Sequence, residues 1–210
     1  MYLSLALFSL LAYLLGSFPS AVLVGKALYG IDVRQHGSMN AGATNTFRVL
    51  GKSAGTLVLI LDILKGFTAA NLVYFFERVP HGETIITFKI AFGLLAVLGH
   101  LYPVFAEFKG GKGIATLLGL VITINWKIAL ICAAIFLLVL VTSKMVSLGS
   151  IVATASFVFL CYAFYQTSEK YLLIFGIFAI GLVVYTHRAN ITRIIKGEEK
   201  KIYLFKKKTT

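Results

Sequence analysis

The stretch IATLLGLVITINWKIALICAAIFLLVLVT, residues 114–142, decides the architecture. It is apolar except around Asn125-Trp126-Lys127, and it reads either as one interrupted helix or as two short ones. Its surroundings set the solvent: 59% of the 210 residues are apolar, 13% are charged, and the mean hydropathy is +0.89. Soluble domains average about 45–50% apolar and about 25% charged residues, so the medium is a bilayer. An uncharged run from Met1 to Gly25 precedes the first cation, Lys26. A secretory leader carries its positive charges ahead of the apolar stretch, so this run reads as a retained helix with its N-terminus outside. Further apolar runs cover about residues 53–75, 84–106, 114–124, 127–142, 146–166 and 170–187, against roughly 17–25 residues needed per span.

Charge settles how to divide 114–142, because Lys and Arg collect in internal loops. With seven spans, the internal segments hold Lys26, Arg34, Arg48, Lys52, Lys109, Lys112, Lys144 and the eight tail cations Arg188, Arg193, Lys196, Lys200, Lys201, Lys206, Lys207 and Lys208. Outside stand only Arg78, Lys127 and Lys170. Six spans would carry Lys144 and the whole tail across. The expected fold is therefore all-α: an integral membrane helical bundle with seven transmembrane helices, N-terminus outside and C-terminus cytoplasmic. Asn125-Trp126-Lys127 becomes a tight external turn. The chain is expected to be one membrane-embedded domain, 1–210, with a basic cytoplasmic tail at about 188–210. The net charge of +12 then marks topology and anion ligands rather than a nucleic-acid surface, and the Lys206–Lys208 end lies near anionic headgroups. Cys132 and Cys161 stand apart in apolar runs without a CxxC, as packing residues.

Unsatisfied polar groups cost several kcal/mol in hydrocarbon, so their clustering carries information. The first cluster is Gly37-Ser38-Met39-Asn40-Ala41-Gly42-Ala43-Thr44-Asn45-Thr46-Phe47-Arg48. A helix beginning near Asn40 would put Thr44 and Arg48 on one face, with Ser38 at its N-terminus; it reads as a phosphate site or as a capped surface helix. The second runs from Gly99-His100 to Lys109-Gly110-Gly111-Lys112-Gly113 and Thr116, where glycine amides and an ammonium can close on an anion. It is no Walker A loop, since Ala106 stands where the first glycine belongs and Gly113 follows the lysine. A flexible positive turn is the alternative. The third is His187-Arg188-Ala189-Asn190-Ile191-Thr192-Arg193, with His187 and Asn190 on one helical face, or else an interfacial anchor.

Smaller features have simpler readings. Asp62 and Lys65, three apart, read as a mutual pair or, being charges within a span, as a functional site. Ser147 and Ser150, near Lys144, read as capping or as substrate contacts. Gly16-Ser17-Phe18-Pro19-Ser20 kinks the first span. No partner is evident for His36 or His81. No histidine is followed five residues later by aspartate, and there is no Gly-x-Ser-x-Gly elbow and no HExxH.

Together, Gly16–Ser20, Gly37–Arg48, Asp62-Ile63-Leu64-Lys65-Gly66, Gly99–Thr116 and His187-Arg188-Ala189-Asn190-Ile191 with Arg193 and Gly197-Glu198 make the chain resemble the integral-membrane acyl-phosphate:glycerol-3-phosphate acyltransferases of bacteria. One departure is Met39, where glycine is common in that family. The resemblance implies a seven-span enzyme of the bacterial inner membrane with its active site on the cytoplasmic face. It would move a fatty acyl group from acyl phosphate to the 1-hydroxyl of glycerol 3-phosphate, giving lysophosphatidic acid and phosphate, the first acylation of phospholipid synthesis. Neither acyl-CoA nor acyl carrier protein would be the direct donor, and no cofactor, metal or nucleic acid is expected; membrane lipids are the other partners. Under it, Ser38, Arg48, Lys112, His187 and Asn190 are expected to grip glycerol phosphate, the catalytic set. Asn40, Thr44, Asn45, Lys109, Gly110, Gly111, Gly113, Ser147, Ser150 and Arg193 are expected to bind substrate, chiefly the acyl phosphate. The competing class is a small transporter or channel for phosphorylated solutes, which would place its site at mid-membrane.

Overall fold

The computed structural model describes residues 2–76, 83–165 and 170–202. Among them the chain is helical, without strands, and it divides into two compact units, Met1–Trp126 and Lys127–Thr210.

The first unit opens with α1 (Tyr2–Ser17) and α2 (Ser20–Tyr29). Pro19 has no N–H and its ring crowds the preceding turn, so the run breaks at Phe18-Pro19 and the two helices meet at 43°. This is the kink read from Gly16–Ser20. Then come α3 (Ala43–Leu50), α4 (Lys52–Ala70), α5 (Glu83–Leu101) and α6 (Ile114–Ile124). The helix expected from Asn40 thus starts three residues later, with Gly42 as its N-cap and Ser38 well outside it. Gly42 is extended, φ −134°, at the point where the loop ends.

Lipid competes with protein for apolar surface, so membrane helices associate by close packing and hydrogen bonds. A side chain at Gly66 would overlap the Thr116 carbonyl, and one at Gly119 the Ile63 carbonyl, so α4 and α6 touch backbone to backbone. Gly16 and Gly99 bring α1 and α5 together in the same way. Between these contacts Ala12, Ala69, Val73, Phe92 and Ala96 form a buried core. The 11-residue α6 is about 16 Å long, and its terminal carbonyls need partners. Lys89 supplies one, donating from Nζ to the Thr123 carbonyl at 2.8 Å while lying 5.1 Å from the Tyr74 ring centroid.

The second unit holds α7 (Trp126–Ser143), α8 (Val146–Tyr165), α9 (Lys170–Thr186) and α10 (Arg188–Ile195). Phe157 meets Phe175 edge-on at 5.5 Å between α8 and α9. At His187 the chain bends by 68° into α10, which packs on both. The Ile202 amide then donates to the Lys144 carbonyl at 2.8 Å.

Among the described residues, four segments are individually long and apolar enough to cross a membrane: Lys52–Phe75, Ile85–Ala106, Trp126–Ser143 and Val146–Phe164. Counting the bent pairs α1–α2 and α9–α10 as one span each makes six, and α6 is a shorter apolar helix. The break at Asn125 is a single extended residue, φ −154°, between α6 and α7. Only 22% of the most apolar window of α7 is buried, against 44% in α4 and α5. Leu130, Leu137, Leu138 and Val141 face outward, as a lipid-covered helix requires. His81, Arg78 and Lys206–Lys208 lie outside the described residues.

Candidate active site

In the first unit, the segment between α2 and α3 is organised by one amide. Asn45, 1% exposed, donates from Nδ2 to the Val33 carbonyl at 2.8 Å and to the His36 carbonyl at 3.1 Å. Its Oδ1 accepts from the Ser38 amide at 2.7 Å and from the Ser38 hydroxyl at 3.0 Å. All four groups folded inward by this loop are thereby satisfied, and Ser38 itself stays at the surface. Thr44 and Asn40 are half-buried, and Arg48 is exposed on α3. Met39 is exposed with φ 58°, a left-handed backbone.

Arg34 joins this segment to the second cluster. Its Nη2 donates to Asp32 Oδ2 at 2.8 Å, while Nη1 reaches across to the Ala106 carbonyl at 3.0 Å. The Arg34 guanidinium beside Asp32 holds that carboxyl down at about 2, overcoming the upward push of partial burial, and Lys26 adds a 3.5 Å ion pair. Sequence reasoning counted Arg34 only as a topology marker. His36, left without a partner by that reasoning, has its Nδ1 3.2 Å from the Asp32 carbonyl.

The glycine-flanked lysine follows. Lys109 is exposed and lies 3.3 Å from Glu107, whereas Lys112 is half-buried. Gly113, at φ 79°, is the N-cap of α6, so the amides of that helix's first turn open toward the loop. Gly111 donates its N–H to the His100 carbonyl at 3.1 Å, and a Cβ on Gly111 would collide with the His100 imidazole. Beneath the loop lies a buried polar group that spacing alone did not connect. Lys65 Nζ is 2.7 Å from Asp62 Oδ1, the pair read from the sequence, and it also donates to Ser20 Oγ at 2.8 Å. The Ser20 hydroxyl donates to Asp62 as well, and His100 Nδ1 stands 3.6 Å from the same carboxylate oxygen. A small recess, with room for about one water, is lined by Gly16, Ser20, Ala41, Lys65, His100 and Gly110 among others. Residues from α1, α2, α4, α5 and both polar loops thus converge in one unit.

The second unit contains a separate convergence, centred on Glu199, which sequence reasoning passed over. Ser147 Oγ and Asn190 Nδ2 each donate to its Oε1 at 2.7 Å, and Arg193 Nε to its Oε2 at 2.8 Å. Burial pushes the Glu199 carboxyl up, but these three donors outweigh it and hold it below the usual carboxylate range. Ser147 therefore ties α8 to the chain beyond α10 instead of capping its own helix. Ser150 is buried and donates to the Val146 carbonyl at 3.0 Å. His187, 3% exposed, sits at the bend, with Nδ1 2.9 Å from the Val183 carbonyl. Only a protonated ring nitrogen can bond a carbonyl, so in the neutral ring the lone pair resides on Nε2.

Residues 6–197 match the family described as glycerol-3-phosphate acyltransferase. The chain belongs to this family. Among relatives, glycerol-3-phosphate acyltransferase 2 of Bacillus cereus is 46% identical over 94% of the chain and 95% of its own length. The glycerol-3-phosphate acyltransferase of Staphylococcus carnosus is 45% identical over 94% and 98%. The crystal structure of PlsY (YgiH), an integral membrane glycerol 3-phosphate acyltransferase in its glycerol 3-phosphate form, superposes with a TM-score of 0.83 at 39% identity, covering 94% of this chain and 95% of that one. Its lysophosphatidic acid form gives 0.80 over the same shares. As a member of the glycerol-3-phosphate acyltransferase family, the chain is an integral membrane helical protein, and its polar loops are where this family membership has to be explained.

Proposed function

We propose that the chain acylates glycerol 3-phosphate at its 1-hydroxyl with the fatty acyl group of acyl phosphate, on the cytoplasmic face of a bacterial inner membrane, releasing lysophosphatidic acid and phosphate. The observation that carries this reading is the 39% identical likeness, across almost the whole chain, to an enzyme solved in a glycerol 3-phosphate form. One family match spans 6–197, which supports treating both compact units as one acyltransferase domain with seven spans, α6 being the short fourth.

An acyl phosphate is a mixed anhydride whose carbonyl is already activated, so the protein has to neutralise two phosphates and hold a hydroxyl near that carbonyl. In this mechanism the Lys112 ammonium, the Gly110 and Gly113 amides and the first turn of α6 take one phosphate, as the positive end of a helix favours an anion. Ser38 and Arg48 grip the glycerol phosphate. The Ser38 hydroxyl can turn to a phosphate oxygen while its amide keeps Asn45 Oδ1 satisfied, which makes Asn45 a positioning residue rather than a ligand. Attack of the hydroxyl oxygen on the carbonyl forms the ester C–O bond, the anhydride C–O bond breaks, and the departing phosphate carries away the hydroxyl proton. His187 orients the acceptor through Nε2; no carboxylate needs to assist it.

Purified protein in micelles, given acyl phosphate and glycerol 3-phosphate, is expected to release phosphate in step with ester formation, and to form no ester from acyl-CoA. Absence of ester from an intact, folded sample overturns the reading. His187→Gln is expected to weaken glycerol phosphate affinity while keeping most of kcat; a collapse of kcat alone would instead establish an obligatory base.

A further inference from the structure

We infer that the buried Ser20–Asp62–Lys65–His100 network positions the glycine-flanked lysine loop, with the His100 imidazole as the part that bears on the loop. The inference rests on the acyltransferase reading for its assay, but its geometry is independent. His100 holds the loop twice: its carbonyl accepts the Gly111 N–H at 3.1 Å, and its ring fills the space that a side chain at Gly111 would occupy. Gly110 abuts the same carbonyl. Behind the ring, Asp62 Oδ1 lies 3.6 Å from Nδ1 and is itself held by Lys65 and Ser20. All four side chains are at most 7% exposed. Charged groups in a bilayer are costly unless paired, and a lone Asp62–Lys65 pair three residues apart needs neither Ser20 from α2 nor His100 from α5. Their recruitment fixes the ring orientation, and the ring in turn sets how deeply residues 110–113 seat, and with them Lys112.

A mutant cycle tests this. Gly111 is not at a positive φ, and the nearest atoms an added methyl meets there are those of the imidazole, so in the wild-type background Gly111→Ala should lower kcat/KM about tenfold or more by displacing the loop. In a His100→Ala background, where the ring is gone, the same change should cost less than about threefold. It should be similarly relieved in the neutral pair Asp62→Asn with Lys65→Gln, where the ring is released to swing aside. If the neutral pair does not fold, the His100→Ala background alone decides. An equal cost of Gly111→Ala in every background, including no cost in any, overturns the inference, because a merely structural network would leave the factors multiplicative. Wild-type protein without acyl transfer would sink the parent reading instead, so the two failures are distinguishable.

Discussion

Met39 adopts φ 58° with an exposed side chain. A left-handed backbone costs an L-residue roughly 1–2 kcal/mol, partly offset by the roughly 0.5–1 kcal/mol of chain entropy that glycine loses on folding. Met39→Gly is therefore expected to raise stability by up to about 1 kcal/mol, read as a higher unfolding temperature in micelles; a lower temperature contradicts the strain argument. Asp32 gives a second residue-level outcome. Its folded pKa is depressed to about 2, so its stabilising contribution is present above the unfolded value of about 3.9 and is lost as pH falls through about 2. Carboxyl NMR should find Asp32 titrating near 2, and Arg34→Gln should move the midpoint up toward about 3.9. An unmoved midpoint would show that Arg34 is not the cause.

At the scale of elements, the close approach of α4 and α6 makes an unequal pair of substitutions. Gly66→Ala drives a methyl group into the Thr116 carbonyl, whereas a Cβ at Gly181 in α9 meets nothing within 4 Å. Overpacking costs about 1–3 kcal/mol, so Gly66→Ala should lower thermal stability clearly while Gly181→Ala leaves it level or slightly higher; equal shifts would deny the helix contact. The same elements mark what was readable in advance. Apolar runs located each membrane helix, and Asn125 did separate α6 from α7, because hydropathy acts locally along the chain. The start of α3 was misplaced, since the Asn45 side chain, not helix propensity, decides where the preceding loop ends. Spacing disclosed the Asp62–Lys65 pair but neither Ser20 nor His100, which join from other helices. Glu199 was missed because a carboxylate in a basic tail looks like solvated surface until Ser147 from α8 and Asn190 and Arg193 from α10 are seen to meet it.

For the molecule as a whole, charge distribution governs orientation. A topology reporter fused after Thr210 should read internal, because a seven-span arrangement keeps the tail with the cation-rich loops around Arg34 and Lys112; an external signal overturns the count. The two polar loops of the first unit are linked by the Arg34–Ala106 bond and share one recess, so the first two sequence clusters act as a single cationic surface, while the third is organised on its own around Glu199.

Two of the apolar helices, α6 and α7, are short against a bilayer. With 18 residues, α7 extends about 27 Å, slightly less than the roughly 30 Å of a typical hydrocarbon core, and α6 extends far less. A bilayer of that thickness would thin locally around α6 and α7, at a cost of fractions of a kcal/mol per Å, while the 24-residue Lys52–Phe75 and 22-residue Ile85–Ala106 segments reach across it. Lipid with shorter or more disordered chains relieves that local thinning, so the acyl chains of the surrounding phospholipid set how much it costs.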